Sequence, residues 1–430
     1  MAKKSSTKNK STLKGTNSAD TLTVKHSQIT VTAGKGNDGI YVNKGSAHRI
    51  YGEAGNDIIT VKSTGTGMRV YGDDAKSKLT GNDTFNIYGG KSNYYYGGKG
   101  ADTFNVRGGT NSSIYGGAGN DVIKVYAGTV KSVDAGTGTN RITVSGGTVS
   151  KIVGGTGKDI INVQKQKKIT INAGNGDNNI TIAGIDNSRF SGVSRAVIKA
   201  GSGADLITVN KGGFHAIYSS GGNDTININA GTSYISAGAG SDKVTINSKY
   251  SCVVNGDNGN DTITLKGNSY NNAICGDDGN DTIIVKNNNK TDYFNILEGG
   301  AGSDTYHIYN PYLYLGIFNG SESAKDRDVI NFHCNSSDIR VLDYFPSNDT
   351  LLVNRSIFIV GISSIDKIKV TTGSAIYEFS SNEVISAANY NYNSLDVSGC
   401  VLDYLSNFAK VVSNKGVTNE IARRMGYKGN

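Results

Sequence analysis

One short pattern, a Gly followed two residues later by an Asp, recurs along most of this chain of 430 residues. Successive copies are nineteen residues apart at most steps, as from Asp83 to Asp102 and on to Asp121. A fixed period in this range is typical of a solenoid, in which each repeat forms one turn and stacks on the next. The residues at this position are Asp38, Asp57, Asp83, Asp102, Asp121, Asn140, Asp159, Asn178, Asp205, Asp224, Asp242, Asp261, Asp281 and Asp304.

Apolar residues keep a strict register inside each period. The residues two and four positions after the Asp are apolar in every copy, as Ile123 and Val125 are after Asp121, and the residue between them is usually polar. This alternation indicates a strand with one buried face. Another apolar row, which includes Ile114, lies seven residues before the Asp. Each turn therefore has two short facing strands.

These registers predict the fold class. We expect an all-β protein, a right-handed parallel β-roll or β-solenoid of about 14–16 turns with a C-terminal β-rich cap. The composition agrees, because 58 residues are Gly, only 2 are Pro, and Trp is absent. No run of apolar residues is long enough for a membrane-spanning helix, and the four Cys occur singly, which argues against a disulfide framework.

The Gly-rich corner before each Asp has the chemistry of a cation site. Glycine allows a positive φ and close approach of the backbone, so several carbonyl oxygens can point to one spot. Calcium takes six to eight such oxygens, often from backbone carbonyls and Asp. Stacked Asp side chains about 5 Å apart would also repel by roughly 3 kcal/mol per neighbouring pair, and a divalent ion would remove that cost.

Several stretches resemble the nonapeptide of the RTX, or hemolysin-type, calcium-binding β-roll family. They are GGKGADTFN at 97–105, GGAGNDVIK at 116–124, GGTGKDIIN at 154–162 and GGAGSDTYH at 299–307. The resemblance covers roughly residues 15–332. It implies a parallel β-roll in which loops of successive turns hold calcium through the Asp of the motif and backbone carbonyls. It also implies export by type I secretion and folding in extracellular calcium.

Calcium is therefore the expected cofactor, in several copies. The predicted metal-site residues are Asp38, Asp57, Asp83, Asp102, Asp121, Asp159, Asp205, Asp224, Asp242, Asp261, Asp281 and Asp304, with Gly97, Gly100, Gly116 and Gly119 of the loops. The other corner of each turn lacks the motif, whereas RTX arrays usually carry two calcium loops per turn. Sites shared by Asn140 and Asn178 are expected to be weak. The alternative is a ladder of Asp and Asn side chains that needs no metal.

The segments outside the array predict three domains. Residues 1–14 are rich in Lys and Ser and are expected to form a disordered basic tail, and the calcium-binding array follows at 15–332. Residues 333–430 are expected to form the cap, which also holds a candidate type I export signal. Within it, residues 395–412 have apolar residues at helical spacing. These predictions favour a secreted or cell-surface protein.

The sequence shows no catalytic motif: the five His residues are dispersed, and neither H-E-x-x-H nor G-x-S-x-G is present. An enzyme is therefore disfavoured, although a polysaccharide-modifying enzyme is the alternative to an extracellular structural, adhesive or surface-binding protein. An outward Thr and Asn row and a cluster of Tyr, including Tyr51, Tyr71, Tyr96 and Tyr115, favour a glycan partner. The net charge of +8 is compatible with an anionic cell surface, and no motif indicates a specific nucleic-acid partner or a transmembrane segment.

Overall fold

The structure, a computed structural model, is nearly all β. It describes residues 2–390 except 63, 74–79, 185–194, 270, 288–293, 320–325, 335–337, 340, 346–348, 355 and 373. The chain divides into two compact units, residues 1–215 and 216–430. The boundary falls within one strand, Phe214–Gly221.

The first unit is a parallel β-solenoid. Its strands are β1 (Lys3–Ser5), β2 (Thr12–Thr16), β3 (Thr21–Val24), β4 (Thr30–Lys35), β5 (Gly39–Val42), β6 (Arg49–Ala54), β7 (Ile58–Val61), β8 (Arg69–Tyr71), β9 (Thr84–Ile87), β10 (Tyr94–Lys99), β11 (Thr103–Ala118), β12 (Val122–Thr137), β13 (Arg141–Val144), β14 (Thr148–Thr156), β15 (Ile160–Val163), β16 (Lys168–Asn175), β17 (Asn179–Ile182), β18 (Arg195–Ser202) and β19 (Leu206–Val209). Strands pair with those one turn away, as β13 does with β15 and β14 with β16.

The second unit continues with β20 (Phe214–Gly221), β21 (Thr225–Ile228), β22 (Thr232–Ala239), β23 (Lys243–Ile246), β24 (Cys252–Asn258), β25 (Thr262–Gly267), β26 (Ala273–Asp278), β27 (Thr282–Asn287), β28 (Asn295–Ala301), β29 (Thr305–Ile308), β30 (Leu315–Phe318), β31 (Asp328–His333), β32 (Val341–Phe345), β33 (Thr350–Val353), β34 (Ile357–Val360), β35 (Ile365–Thr372), β36 (Ala375–Ser380) and the helix α1 (Ser381–Tyr390). Its solenoid strands are also parallel, as β23 and β25 are.

The predicted apolar rows form the core. In the pairing of β13 with β15, Ile142 aligns with Ile161 and Val144 with Val163, and all four side chains are fully buried. Burying an Ile or Val side chain contributes about 1.5–3 kcal/mol, and the same register repeats in every turn. The fold class predicted from the sequence, a parallel β-solenoid, is therefore confirmed, whereas its handedness stays a prediction.

The N-terminal segment differs from the predicted disordered tail. Strand β1 pairs in parallel with β3, and β2 pairs with β4. Leu13 of β2 is 7% exposed and aligns with the buried Val31, because the apolar register of the array already begins there. The stacked strands therefore begin at Lys3.

Antiparallel strands occur only near the C-terminal end of the described residues. Strand β33 pairs with β32 and β34, and β35 pairs with β36, all antiparallel. The predicted helix at 395–412 and most of the candidate export signal lie outside the described residues. No helix in the described part of the chain is long and apolar enough to cross a membrane.

Candidate functional site

The predicted metal-site Asp residues all occupy the same corner of their turns, which we call the acidic corner. Each lies just before the strand that carries the two apolar residues, as Asp102 lies just before β11. None of the twelve is more than 2% exposed. The structure therefore brings the predicted carboxyl groups together into a buried column within each unit.

A hydrogen-bond ladder connects the Asp residues of neighbouring turns. The backbone N–H of Asp83 donates to Oδ1 of Asp102 at 2.7 Å, and the N–H of Asp102 donates to Oδ1 of Asp121 at 2.8 Å. In the second unit, the N–H of Asp242 donates to Oδ1 of Asp261 at 2.7 Å. One oxygen of each carboxyl group thus satisfies a buried N–H of the preceding turn.

The second carboxyl oxygen has no such role. In the described part of the chain, Oδ2 is buried and has no hydrogen-bond partner in Asp38, Asp57, Asp83, Asp102, Asp121, Asp159, Asp242, Asp261, Asp281 and Asp304. A buried polar atom without a partner costs about 1–3 kcal/mol, and more when it is charged. A cation or a proton bound at Oδ2 would remove this energetic cost in each of these turns.

Asn178 reveals what surrounds this second oxygen, because its amide nitrogen takes the same place. Its Nδ2 donates to the carbonyl oxygens of Gly176 at 2.8 Å, Gly174 at 3.1 Å and Ala200 at 3.4 Å. Three backbone carbonyls therefore converge there, two from the same turn and one from the next. An Asp in this position presents an acceptor to three other acceptors.

Asn140 shows the same preference, since its Nδ2 donates to the carbonyl oxygen of Gly138 at 3.3 Å. Its Oδ1 accepts the N–H of Asp121 at 2.9 Å, so the ladder continues through it. The sequence predicted weak metal sites at both Asn positions. The structure adds that the amide itself donates where a cation would bind.

The predicted glycines shape this small space. A Cβ added at Gly97 would lie 2.2 Å from Oδ2 of Asp102 and 2.4 Å from the carbonyl oxygen of Gly116. At Gly116 it would lie 2.3 Å from Oδ2 of Asp121. Gly100 and Gly119 have φ of 120° and 140°, which other residues rarely adopt. The four glycines therefore line the acidic corner, and their part in a metal site stays a prediction.

Burial raises the pKa of the column carboxyls. It raises the pKa of Asp57 and Asp102 to about 8, with a smaller contribution from neighbouring Asp carboxylates. The pKa of Asp121 and of Asp159 is raised to about 6, again by burial. Both have an Asn in the next turn, which carries no charge to repel them.

The first and last carboxyl groups of the ladder are different. At Asp20, Oδ2 accepts hydrogen bonds from the N–H of Thr16 at 2.6 Å and from its hydroxyl at 2.8 Å. At Asp328, Oδ2 accepts from Nδ2 of Asn319 at 2.8 Å. The repeat pattern predicts neither hydrogen-bond partner, although Thr16 lies four residues before Asp20 in the sequence. The orphaned oxygen is therefore a property of the interior copies.

The opposite corner is closed by neutral side chains. Oδ1 of Asn93 accepts the N–H of Met68 at 3.0 Å, Oε1 of Gln166 accepts that of Val149 at 2.9 Å, and Oδ1 of Asn272 accepts that of Cys252 at 2.9 Å. Side-chain amides therefore accept the buried backbone N–H groups at this corner without introducing a charge. This agrees with the prediction that only one corner carries the metal motif.

The donor set fits a hard cation only with help from the backbone. Among the described residues, no group of three or more His, Cys, Asp or Glu side chains could hold a metal ion. At the acidic corner, however, backbone carbonyls converge on the side-chain amide of Asn178, and the carbonyl oxygen of Gly116 lies beside Oδ2 of Asp102. Calcium binds mixed sets of carboxyl and carbonyl oxygens. Oxygen donors alone disfavour zinc and copper, which prefer nitrogen and sulfur.

Comparisons with known proteins add little. No protein-family model matches the chain, and no curated protein matches it. A solved structure of a hyperactive, Ca²⁺-dependent, β-helical antifreeze protein from an Antarctic bacterium is similar over 72% of this chain and 84% of that one, with 17% identity and a TM-score of 0.38. At this TM-score the likeness carries no argument about function.

Proposed function

We propose that this protein binds several calcium ions at the acidic corner and is an RTX-type repeat protein. The observation that supports this most is the buried Oδ2 that lacks a hydrogen-bond donor in ten interior Asp residues, from Asp38 to Asp304. The motif stretches at 97–105 and 116–124 support the same proposal from the sequence. The proposed ligands are the twelve predicted Asp residues.

The repeat register gives the proposed ligand set for one site. By analogy with Asn178, Asp102 would act with the carbonyl oxygens of Gly98, Gly100 and Gly116. A bound calcium ion would supply two positive charges that neutralise neighbouring carboxylates and link one turn to the next. The carboxyl group holds its place through Oδ1, which keeps its hydrogen bond to Asp83.

The proposal includes coupled folding. At pH 8 the interior carboxyl groups ionise and the column opposes stacking, because burial and mutual repulsion both disfavour the charged form. In the turns with Asn140 and Asn178, the side-chain amide donates to the backbone carbonyls of the corner, so these turns need no ion. We therefore expect the metal-free chain to be largely unfolded at pH 8, with residual structure concentrated around these turns.

Calcium binding and folding can be tested together. Purified protein is dialysed at pH 8, its metal content is measured by elemental analysis, and circular dichroism is recorded in EDTA and after addition of millimolar calcium or magnesium. We expect several calcium ions per chain and a gain of β-structure with calcium. A protein that retains no ion and gives the same spectrum in EDTA would disprove the proposal.

We further propose that the protein is exported by type I secretion and acts outside the cell as a structural, adhesive or surface-binding protein. This extends the RTX resemblance of residues 15–332, and the net charge of +8 is compatible with an anionic surface. Detection of the full-length chain in the medium, dependent on a type I exporter, tests it. A protein confined to the cell pellet would count against it.

A further inference from the structure

A concave site lies at the neutral corner of the second unit. Its volume is about 410 Å³, within the range of roughly 300–1,000 Å³ found for small-ligand sites. The side chains that form it are Asn229, Asn247, Ser248, Lys249, Tyr250 and Asn268. They come from three successive turns, after β21, β23 and β25. The site is on the opposite corner from the Asp column.

Hydrogen bonds through the buried Ser248 hold the loop that carries Tyr250. Ser248 is fully buried, and its hydroxyl donates to the carbonyl oxygen of Gly231 at 2.8 Å. The N–H of Tyr250 donates to the same hydroxyl at 3.2 Å. Cys252, two residues on, is fully buried. The backbone of Tyr250 is therefore held in place, while its side chain is 44% exposed.

The lining has a distinct chemistry. Amide side chains both donate and accept hydrogen bonds, which suits a ligand with many hydroxyl groups. A Tyr ring adds an apolar face with a polar end. Among the described residues that line the site there is no Asp or Glu, and Lys249 is the one basic residue, with Nζ 5.9 Å from the centre of the Tyr250 ring. A single Lys is a weak basis for binding a phosphate, whereas the amides offer several hydrogen-bond partners to a ligand with hydroxyl groups.

We propose that this site binds a neutral carbohydrate. Asn247 and Asn268 would hydrogen-bond hydroxyl groups, and the Tyr250 ring would pack against the apolar face of a sugar. The open groove suits a segment of an oligosaccharide chain. This inference gives a ligand class for the proposed surface-binding role. It depends on that role only for its biological setting, because the site does not include the acidic corner.

The Tyr cluster that suggested glycan contact from the sequence is a poorer candidate. Tyr51, Tyr71, Tyr96 and Tyr115 form a continuous stack, with ring centres 5.0, 4.6 and 4.9 Å apart and planes within 9° of parallel. Neighbouring rings therefore cover each other's faces, and mainly the edges are left for a ligand. A sugar needs a free aromatic face.

The experiment uses the full chain saturated with calcium. Saturation-transfer NMR is recorded with neutral hexasaccharides of glucose, mannose, galactose and N-acetylglucosamine, and Kd is then measured by calorimetry for any that bind. We expect at least one to bind, and we expect Tyr250→Ala and Asn247→Ala each to weaken that binding about tenfold or more. Product analysis of the same samples tests the alternative of a polysaccharide-modifying enzyme.

The matched control is Tyr88→Ala, because Tyr88 is also on the neutral corner and is 48% exposed but does not line the site. It should leave binding unchanged. All three substitutions are at exposed side chains, and circular dichroism checks that each variant folds. Absence of binding by all four sugars, or equal affinity in the wild type and both site variants, would overturn the inference. The calcium titration is measured separately, so the two proposals can fail independently.

Discussion

The backbone N–H of Asp102 donates a hydrogen bond of 2.8 Å to Oδ1 of Asp121, the residue at the same position one turn later. An amide oxygen accepts equally well, as Asn140 does from the N–H of Asp121. The ladder therefore tolerates Asp or Asn at every rung. Asp and Asn differ in the other terminal atom of the side chain: Oδ2 of Asp accepts hydrogen bonds, whereas Nδ2 of Asn donates them.

Asp102→Asn should make the metal-free protein more stable and the calcium-loaded protein less so. The new amide would donate to the surrounding carbonyls, as that of Asn178 does, and would remove a buried unpaired oxygen worth about 1–3 kcal/mol. Thermal unfolding in EDTA and a calcium count per chain measure the two effects. An unchanged calcium count, with lower stability in EDTA, would contradict the proposed role of Asp102.

Asn140→Asp is the reciprocal change. In EDTA at pH 6 the variant should lose about 1–3 kcal/mol, because an amide that donates to Gly138 is replaced by a carboxyl group whose ionised form has no donor. With calcium present, the loss should be recovered and the ion count should rise. Asn105→Asp is a suitable control, since Asn105 lies on the outward face of β11 and bonds Asn86 there. A rise in the ion count with the control alone would argue against the acidic corner.

The metal-free protein should lose stability as the pH rises. The pKa of Asp57 and Asp102 is raised from 3.8 to about 8 in the folded state, so the folded chain holds protons that the unfolded chain releases. Their stabilising effect is complete below about pH 4 and is lost as the pH approaches 8. We expect the melting temperature in chelator-treated buffer to fall by about 10 °C or more over this range.

With saturating calcium the same carboxyls are ionised ligands, so the melting temperature at pH 8 should exceed that of the metal-free protein. Thermal melts at pH 4.5, 6 and 8, with and without calcium, measure both trends. A metal-free melting temperature that rises between pH 4.5 and 8 would show that these carboxyls are not buried as described.

Gly97→Ala should destabilise the acidic corner. The added methyl group would lie 2.2 Å from Oδ2 of Asp102, and the carboxyl group has no room to move without breaking its bond to Asp83. A cost of about 1–3 kcal/mol is expected for such overpacking. Gly184→Ala is the control, since the nearest atom to its Cβ is Lys165 N at 3.5 Å. Equal melting temperatures for the two variants would count against the close packing.

Much of the fold could be predicted because burial has a strict period. The row that includes Ile123 and Val125 and the row that includes Ile114 specified both strands of each turn, and all three residues are fully buried. The N-terminal strands were missed because Lys and Ser dominate their composition, although Leu13 already follows the register.

The candidate site was predicted less completely. Spacing identified the Asp column and its glycines, but hydrogen-bond direction has no signature in a repeat pattern. Neither the ladder through Oδ1 nor the donation from Asn178 to three carbonyls could be derived from the sequence. The partners of Asp20 and Asp328 were missed for the same reason.

The bond from Asn319 to Asp328 has a consequence for solubility. Nδ2 of Asn319 donates to Oδ2 of Asp328 and also to the hydroxyl of Ser364. The second oxygen of this last carboxyl group therefore already has a hydrogen-bond donor. Strand β31, which begins at Asp328, pairs with β35, so this rung is not an uncovered strand edge of the kind that seeds fibres. Because the carboxyl group is bonded and the strand is paired, we expect this rung not to be a place where a second molecule docks.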